Sequence, residues 1–286
     1  MRKIYEALNW ASSFLEENGR EPFAAELLLR HELGVDRTGL FMKMRDGIPE
    51  AMERAFVEKI KAHATGIPLQ HLTGTESFYG REFTVNEHVL IPRPETEELV
   101  LGVIERSAKL FPGSEPLSLV DVGTGSGAIA ISLALELERS NVTAIDISEE
   151  ALKVAKQNAI NLRAEVSFLH GDLLQPIIEQ GKRFDIVVSN PPYISQEDYE
   201  QLDPLVRDHE PITALVGGED GYELYRKLAH QIPKVLAPKG IIAFEVGEKQ
   251  AKTVAGFLEA SFGNNIKTEI VKDINGKQRM VFGQVG

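Results

Sequence analysis

The sequence predicts a Rossmann-like α/β protein, a mostly parallel, doubly wound sheet preceded by a small helical domain. Three observations carry that expectation. From Leu117 onward, apolar strand runs alternate with runs of helical period, the signature of parallel strands joined by crossover helices. A glycine loop, Gly123-Thr124-Gly125-Ser126-Gly127, stands where the first of these strands gives way to a helix. Upstream of residue 66 or so the periodicity is helical only.

In chain order, Ile4, Leu8, Ala11 and Leu15 fall on one helical face. Pro22 opens a second run, with Phe23, Leu27 and Leu28, that stops at Gly34. A third covers 49–63, with Ala51, Ala55 and Ile60 on its inner face, before Gly66 and Pro68 break the pattern. Residues 1–72 therefore read as a helical bundle with no chemistry of its own, suited to docking a partner. Residues 73–92 read as a β-hairpin linker, with Phe78, Phe83, Val85 and Val89 around Gly80. Residues 93–286 form the α/β domain, whose first helix starts near Thr96. Its strands are LSLVDVG, VTAID, VSFLHGD, FDIVVSN, GIIAFEV, IKTEIVKD and RMVFGQV, seven in all. Helices fall at GAIAISLALELE, at SEEALKVAKQNAI with Ser148 as N-cap, at 222–235 and at GEKQAKTVAGFLEASF. A turn at Asn275-Gly276 makes the last two strands a hairpin, which puts one antiparallel strand into the sheet.

Composition excludes several classes. The chain has 286 residues, 43% hydrophobic and 26% charged, enough for a sizeable core. It has no cysteine, so disulfides, thiolate metal ligands and a cysteine nucleophile are out. Lys plus Arg total 31 against 43 for Asp plus Glu, a net charge of −12. That opposes bulk attachment to nucleic acid or to an anionic membrane. The first twenty residues carry no leader-like apolar run, and no run is long enough to span a bilayer, so a cytoplasmic location is expected. His71, His88, His170 and His209 are scattered, and no metal site is expected.

Two constellations carry chemistry. In the first, Gly123, Gly125 and Gly127 let the backbone turn tightly beside a ligand, and Asp146 ends the next strand. A carboxylate there accepts both hydroxyl protons of an adenosine ribose. The pairing points to an adenosine-containing cofactor without separating NAD from S-adenosylmethionine. Asp172 and Leu173, after the third strand, are placed to meet an adenine amino group and ring. The second constellation is Asn190-Pro191-Pro192-Tyr193, after the fourth strand. Consecutive prolines remove two N–H donors, so the carbonyls there are free to face a substrate. The Asn190 side-chain carbonyl and the Pro191 main-chain carbonyl together suit a planar –NH2 group. Pro192 shapes the same loop, and Tyr193 adds a flat wall. Gripping both N–H bonds aligns a poorly nucleophilic nitrogen and stabilises positive charge developing on it. An Asp in place of Asn190 would still accept, so it is expected to retain more activity than Ala.

At this point the sequence resembles a known group. DVGTGSG, VTAIDIS and DIVVSNPPYI are similar to S-adenosylmethionine-dependent amino-methyltransferases with an Asn/Asp-Pro-Pro-Tyr motif, among them adenine-N6 DNA and protein glutamine-N5 methyltransferases. LIPRPETEELV, HEPITALVGGEDGYELYR, FEVGEKQ and DINGKQR resemble the HemK/PrmC-type peptide chain release factor glutamine methyltransferases, and the similarity includes PLQHLTG upstream. The resemblance implies a class I methyltransferase fold and S-adenosylmethionine as cofactor. It places the cofactor over Gly123, Thr124, Gly125, Ser126 and Gly127, with Asp146 on the ribose, Asp172 and Leu173 near adenine, and Asn190 beside it. It implies that Asn190 to Tyr193 bind the glutamine of the Gly-Gly-Gln loop of a release factor, the protein partner. Arg93, Pro94, Glu95 and Thr96 match a segment near the active site, and Glu210, Pro211, Gly217 and Gly218 match one expected to frame the substrate's way in. A nucleic-acid amino-methyltransferase would need a basic groove, which the charge and the lack of a Lys/Arg cluster oppose. A non-catalytic cofactor-binding protein, or an NAD module, leaves the Asn190 tetrad unexplained. No general base is evident, and loss of a proton to water after methyl transfer suffices.

Overall fold

The computed structural model describes residues 2–113 and 115–286, and the chain divides into two compact units. The first reaches to Thr75 and takes in Asp203–His209. It holds helices α1 (Ile4–Glu17), α2 (Phe23–Leu33), α3 (Arg37–Lys43), α4 (Glu50–Ala64) and α5 (Leu69–Thr73). Ile4, Ala7, Ala11 and Leu15 of α1 pack with Leu28 and Leu29 of α2 and Phe56 and Ile60 of α4. The inner face of α4 is thus Phe56, Ile60 and His63, while Ala51 is exposed and Ala55 half-buried, contrary to the sequence reading. Alanine is nearly neutral between faces, so the bulkier Phe56 sets the phase of the helix. Leu8 and Leu27 are likewise only half-buried.

The second unit is Glu76–Leu202 with Glu210–Gly286. Strands β1 (Thr75–Phe78) and β2 (Arg81–Thr84) form the hairpin, followed by α6 (Pro94–Leu110). Phe78 and Phe83 meet edge-to-face, ring centroids 5.9 Å apart, inside a core cluster with Leu99 and Phe282. From Glu76 on, the segment read as a linker is therefore part of this unit's core rather than a separate piece. Then come β3 (Leu117–Val122), α7 (Ala128–Glu136), β4 (Ser140–Asp146), α8 (Glu149–Leu162), β5 (Val166–His170), α9 (Gln175–Gln180) and β6 (Phe184–Ser189). Single-turn helices α10 (Gln196–Tyr199) and α12 (Ile212–Leu215) follow, while the turn between them in sequence, α11 (Pro204–Arg207), belongs to the first unit. The chain ends with α13 (Glu223–Val235), β7 (Leu236–Glu245), α14 (Ala251–Phe262), β8 (Ile266–Lys272) and β9 (Gln278–Val285).

The seven strands lie in the order β5-β4-β3-β6-β7-β9-β8, with only the β7–β9 and β9–β8 pairings antiparallel. Successive residues of each central strand serve opposite faces. Val120, Val122, Val187 and Phe244 join one core with α13 and α14, and Leu119, Ile186 and Val188 join the other with α6 and α7. β3 is followed in sequence by strands on one side of it, and β6 lies on the other. The crevice outside the carboxyl ends of β3 and β6 is thus where such a sheet binds ligands.

Candidate active site

A cavity of about 300 Å³ opens at those strand ends, at the low end of the range for small-molecule sites. Four strand ends contribute. Gly123 to Ser126 come from the end of β3, Asp146 from β4, Asp172 and Leu173 from beyond β5, and Asn190 and Pro192 from beyond β6. The structure thus brings most of the sequence-predicted residues together. Gly127, Pro191 and Tyr193 are not among the lining residues.

Gly123 and Gly125 have φ of +72° and +55°, and a Cβ on either would meet nothing within 4 Å. They are glycines because of the left-handed backbone, and they leave room on the cavity side. Gly127 shares that left-handed backbone, with φ of +82°, and serves packing as well: a Cβ there would stand 2.9 Å from Ile131 Cδ1 and 3.2 Å from Ala155 Cβ, so it lets α7 approach α8. Leu173 is one of three non-glycine residues with positive φ among the described residues, at 51°, an uncommon conformation that the turn after β5 holds at the cavity wall.

The Asp146 carboxylate is held from both sides. Gly125 N–H donates to Oδ2 at 2.8 Å and Ser148 N–H to Oδ1 at 2.9 Å. Burial raises the carboxyl above its ordinary value, while these backbone donors pull the other way. Ile147 N–H acts on the same carboxylate, and the lone-pair capacity left over can still accept a hydroxyl donor. Ser148 also caps α8, its hydroxyl accepting from Ala151 N–H at 3.1 Å.

The Asn190 tetrad is clamped by segments whose roles the sequence left open. Ile194 N–H donates to Leu215 O at 3.0 Å, and Gly217 N–H donates to Ile194 O at 2.9 Å, a short parallel bridge. A Cβ on Gly217 would fall 2.3 Å from the Pro192 carbonyl oxygen, and one on Gly221 would fall 2.4 Å from that of Tyr193. Gln250 Nε2 donates to the carbonyls of Tyr193, at 2.9 Å, and of Gly221, at 3.2 Å. Tyr193 itself packs against the core rather than walling the cavity. The Gly217–Gly218 segment is therefore the backing of the tetrad.

The 93–96 segment also acquires roles. Arg93 Nη2 donates to Glu210 Oε1 at 2.6 Å, and Arg93 and Pro211 both line the cavity. Burial raises the Glu210 carboxyl against the pull of Arg93. Thr96 Oγ1 donates to Glu245 Oε2 at 2.6 Å, and Asn190 Nδ2 donates to Thr96 Oγ1 at 3.4 Å. Glu245 is 3% exposed. Burial, relieved by Thr96 and Arg279, pushes its carboxyl up to about 7. The sequence placed Thr96 near the site without a role and gave no sign of Glu245. Among the described residues, no group of three His, Cys, Asp or Glu is placed to hold a metal ion, and no helix is long and apolar enough to cross a membrane.

The chain is similar to known proteins over nearly its whole length. Residues 6–74 match the PrmC N-terminal domain family and residues 114–279 match the methyltransferase domain family. The release factor glutamine methyltransferase of Bacillus anthracis is 54% identical over 283 residues, 99% of this chain and 99% of that protein. The protein of the same name from Bacillus subtilis is 48% identical over 281 residues, 98% of this chain and 97% of that one. A methyltransferase from Pyrococcus furiosus, 19% identical, superposes with a TM-score of 0.53 over 83% of this chain and 98% of that one, which shows the shared fold. The fold is that of the class I methyltransferases, and the chain belongs to the release factor glutamine methyltransferase family.

Proposed function

We propose that this chain transfers a methyl group from S-adenosylmethionine to the side-chain amide nitrogen of the glutamine in a release factor's Gly-Gly-Gln loop. The observation that supports it most is the convergence of the Gly123–Ser126 loop, Asp146 and Asn190 on one cavity, in a chain 54% identical to a release factor glutamine methyltransferase. The cavity fits the cofactor: Asp146 retains acceptor capacity for a ribose, and Gly123 and Gly125 leave space where side chains would intrude. Asp172 and Leu173 stand at the end that an adenine would occupy. When bound, S-adenosylmethionine supplies a methyl group on positively charged sulfur.

The rest is work for the chain's own residues. The Asn190 side-chain carbonyl, which lines the cavity, accepts one N–H of the target amide; the Pro191 main-chain carbonyl is assigned the other on sequence grounds, from a residue that does not itself line the cavity. Both dipoles point their negative ends at a nitrogen that gains positive charge, so they stabilise the transition state more than the ground state. Pro192 keeps the loop rigid. The nitrogen then gives up a proton to water, so no ionised base is required. The helical unit, residues 1–72 in the sequence reading, docks the protein substrate, and the setting is cytoplasmic.

The test is methyl transfer from labelled S-adenosylmethionine to a release factor, its Gln→Ala loop variant and duplex DNA. Label is expected in the first alone. Equal labelling of the loop variant, or labelling of DNA, overturns the assignment.

A further inference from the structure

We propose that Glu245, acting both directly and through Thr96, fixes which end of the Asn190 amide faces the substrate, so that its carbonyl oxygen and not its NH2 group meets the glutamine nitrogen. The proposal rests on the reading of Asn190 as the acceptor that grips the target amide.

An asparagine amide has a donor branch and an acceptor branch of nearly identical shape. The strand end places the side chain but does not choose between the branches. The neighbours choose. Thr96 commits its single hydroxyl hydrogen to Glu245 Oε2, 2.6 Å away. Its oxygen then has only lone pairs left, so whatever approaches it has to be a donor. Asn190 Nδ2 takes that place at 3.4 Å, and the same side chain also hydrogen-bonds the Glu245 carboxylate directly. The order runs one way, from the Asn190 NH2 to the Thr96 hydroxyl to the Glu245 carboxylate. Reversing it would require a donor at position 245, and an ionised carboxylate has none. With the NH2 branch turned to Thr96, the carbonyl oxygen is left for the cavity, which Asn190 lines.

The setting of Glu245 supports this role. It ends β7 and is 3% exposed, and a carboxylate buried so deeply is unfavourable unless something uses it. The charged and titratable groups around it come from every packed element. They are Glu95 on α6, Arg279 on β9, Tyr193 beyond β6, and Tyr225 on α13, which donates to the Glu245 backbone carbonyl at 2.8 Å. None of these reaches the Thr96 hydroxyl in place of Glu245. A stability role alone would be met as well by an apolar side chain of similar volume.

The test is single-turnover methylation of a release factor at about pH 8.5, where a carboxyl held near 7 is ionised. Cofactor affinity is measured by calorimetry, and folding by a thermal melt. Glu245→Gln keeps the shape but adds a donor, which lets Thr96 donate to Asn190 and turn its carbonyl away. It should slow methyl transfer by about tenfold while leaving cofactor affinity within about twofold. Asn190→Asp, mild on sequence grounds, sets two carboxylates on one hydroxyl and should lose about a hundredfold, no better than Asn190→Ala. Asn190→Asp/Glu245→Gln should recover at least about tenfold over Asn190→Asp, because the amide introduced at position 245 supplies the missing donor. Losses that simply multiply would indicate a structural role and overturn the proposal. Thr96→Ser should keep the rate and Thr96→Val should lower it only in part, because the direct bond from Asn190 to Glu245 persists; a complete loss in Thr96→Val beside a normal rate in Glu245→Gln overturns the proposal. A normal rate in Glu245→Gln with a slow Asn190→Ala overturns the positioning alone. A normal rate in Asn190→Ala overturns the reading of Asn190 beneath it.

Discussion

Asp146 shows how one side chain can both shape a site and serve it. Its two oxygens already hold Gly125 and Ser148 N–H, so they pin the glycine loop against β4 before any ligand arrives. Asp146→Ala should therefore weaken S-adenosylmethionine binding by about 1–3 kcal/mol, the range for hydrogen bonds to a charged acceptor. Calorimetry giving an unchanged affinity would remove Asp146 from the cofactor site. Binding of NAD more tightly than S-adenosylmethionine would argue against the cofactor assignment altogether. Asp146 and Asn190 are legible in the sequence because each stands at a strand end beside a motif that explains it. Glu245 is not. Within GIIAFEV it reads as one acid closing an apolar strand, and its partner Thr96 lies 149 positions away. Contacts of that separation leave no local period, so only the fold reveals them. Gly127 is the opposite case, a motif residue whose visible pattern suggests a ligand while its surroundings show helix packing.

Among the elements, the loop from Glu210 to Gly221 does the most for the tetrad. Its glycines are set by close approach: the Cβ of an alanine at 217 would stand 2.3 Å from the Pro192 oxygen and 2.9 Å from Tyr193 Cα. Backbone atoms cannot rotate aside as a side chain can, so the tetrad itself would shift by something near an ångström. Gly217→Ala should reduce turnover by about a hundredfold, the scale for a misplacement of that size. Cofactor affinity should change far less, since the Gly123 loop and Asp146 are untouched. Steady-state kinetics with a cofactor titration checks it, and unimpaired turnover would show that the loop yields instead. The strands of the sheet were readable because buried parallel strands are continuous apolar runs, as LSLVDV and FDIVVS are. Short elements were not. α9 is six residues long with Pro176 in its first turn, and α10, α11 and α12 are single turns, too brief for a period to accumulate. The inner face of α4 failed for a related reason, because its alanines satisfy the helical spacing without being the residues that bury.

At the scale of the whole molecule, two properties are testable without reference to any one contact. The first concerns the helical unit. Phe41 and Met42 of α3 are 57% and 82% exposed. If this unit docks the release factor through them, burying either side chain contributes about 1.5–3 kcal/mol. Phe41→Ser with Met42→Ser should then raise KM for the intact factor by about tenfold or more, with cofactor affinity unchanged. An unchanged KM would place docking elsewhere. The second property is the response of stability to pH. Asp121 at the end of β3 is fully buried, and burial pushes its carboxyl up to about 7, against hydrogen bonds from Thr124 and Ala130 and with the negative Asp146 nearby. An unfolded Asp titrates near 4, so the native state holds this proton more tightly than the unfolded chain does. The resulting stability is complete below about pH 4 and is lost as pH rises through about 7, the reverse of the usual carboxylate pattern. At about 1.4 kcal/mol per pH unit of difference, the contribution amounts to a few kcal/mol. Asp121→Asn stays neutral at every pH and still accepts from the Thr124 hydroxyl, now 2.6 Å from Oδ2. Urea denaturation should therefore show Asp121→Asn gaining about 2–4 kcal/mol on the wild type between about pH 5 and pH 8. Taking the difference cancels groups of opposite sign, such as Asp220, which Arg226 holds down at about 2. Parallel stability curves for the two proteins would mean that Asp121 does not change its charge in this range.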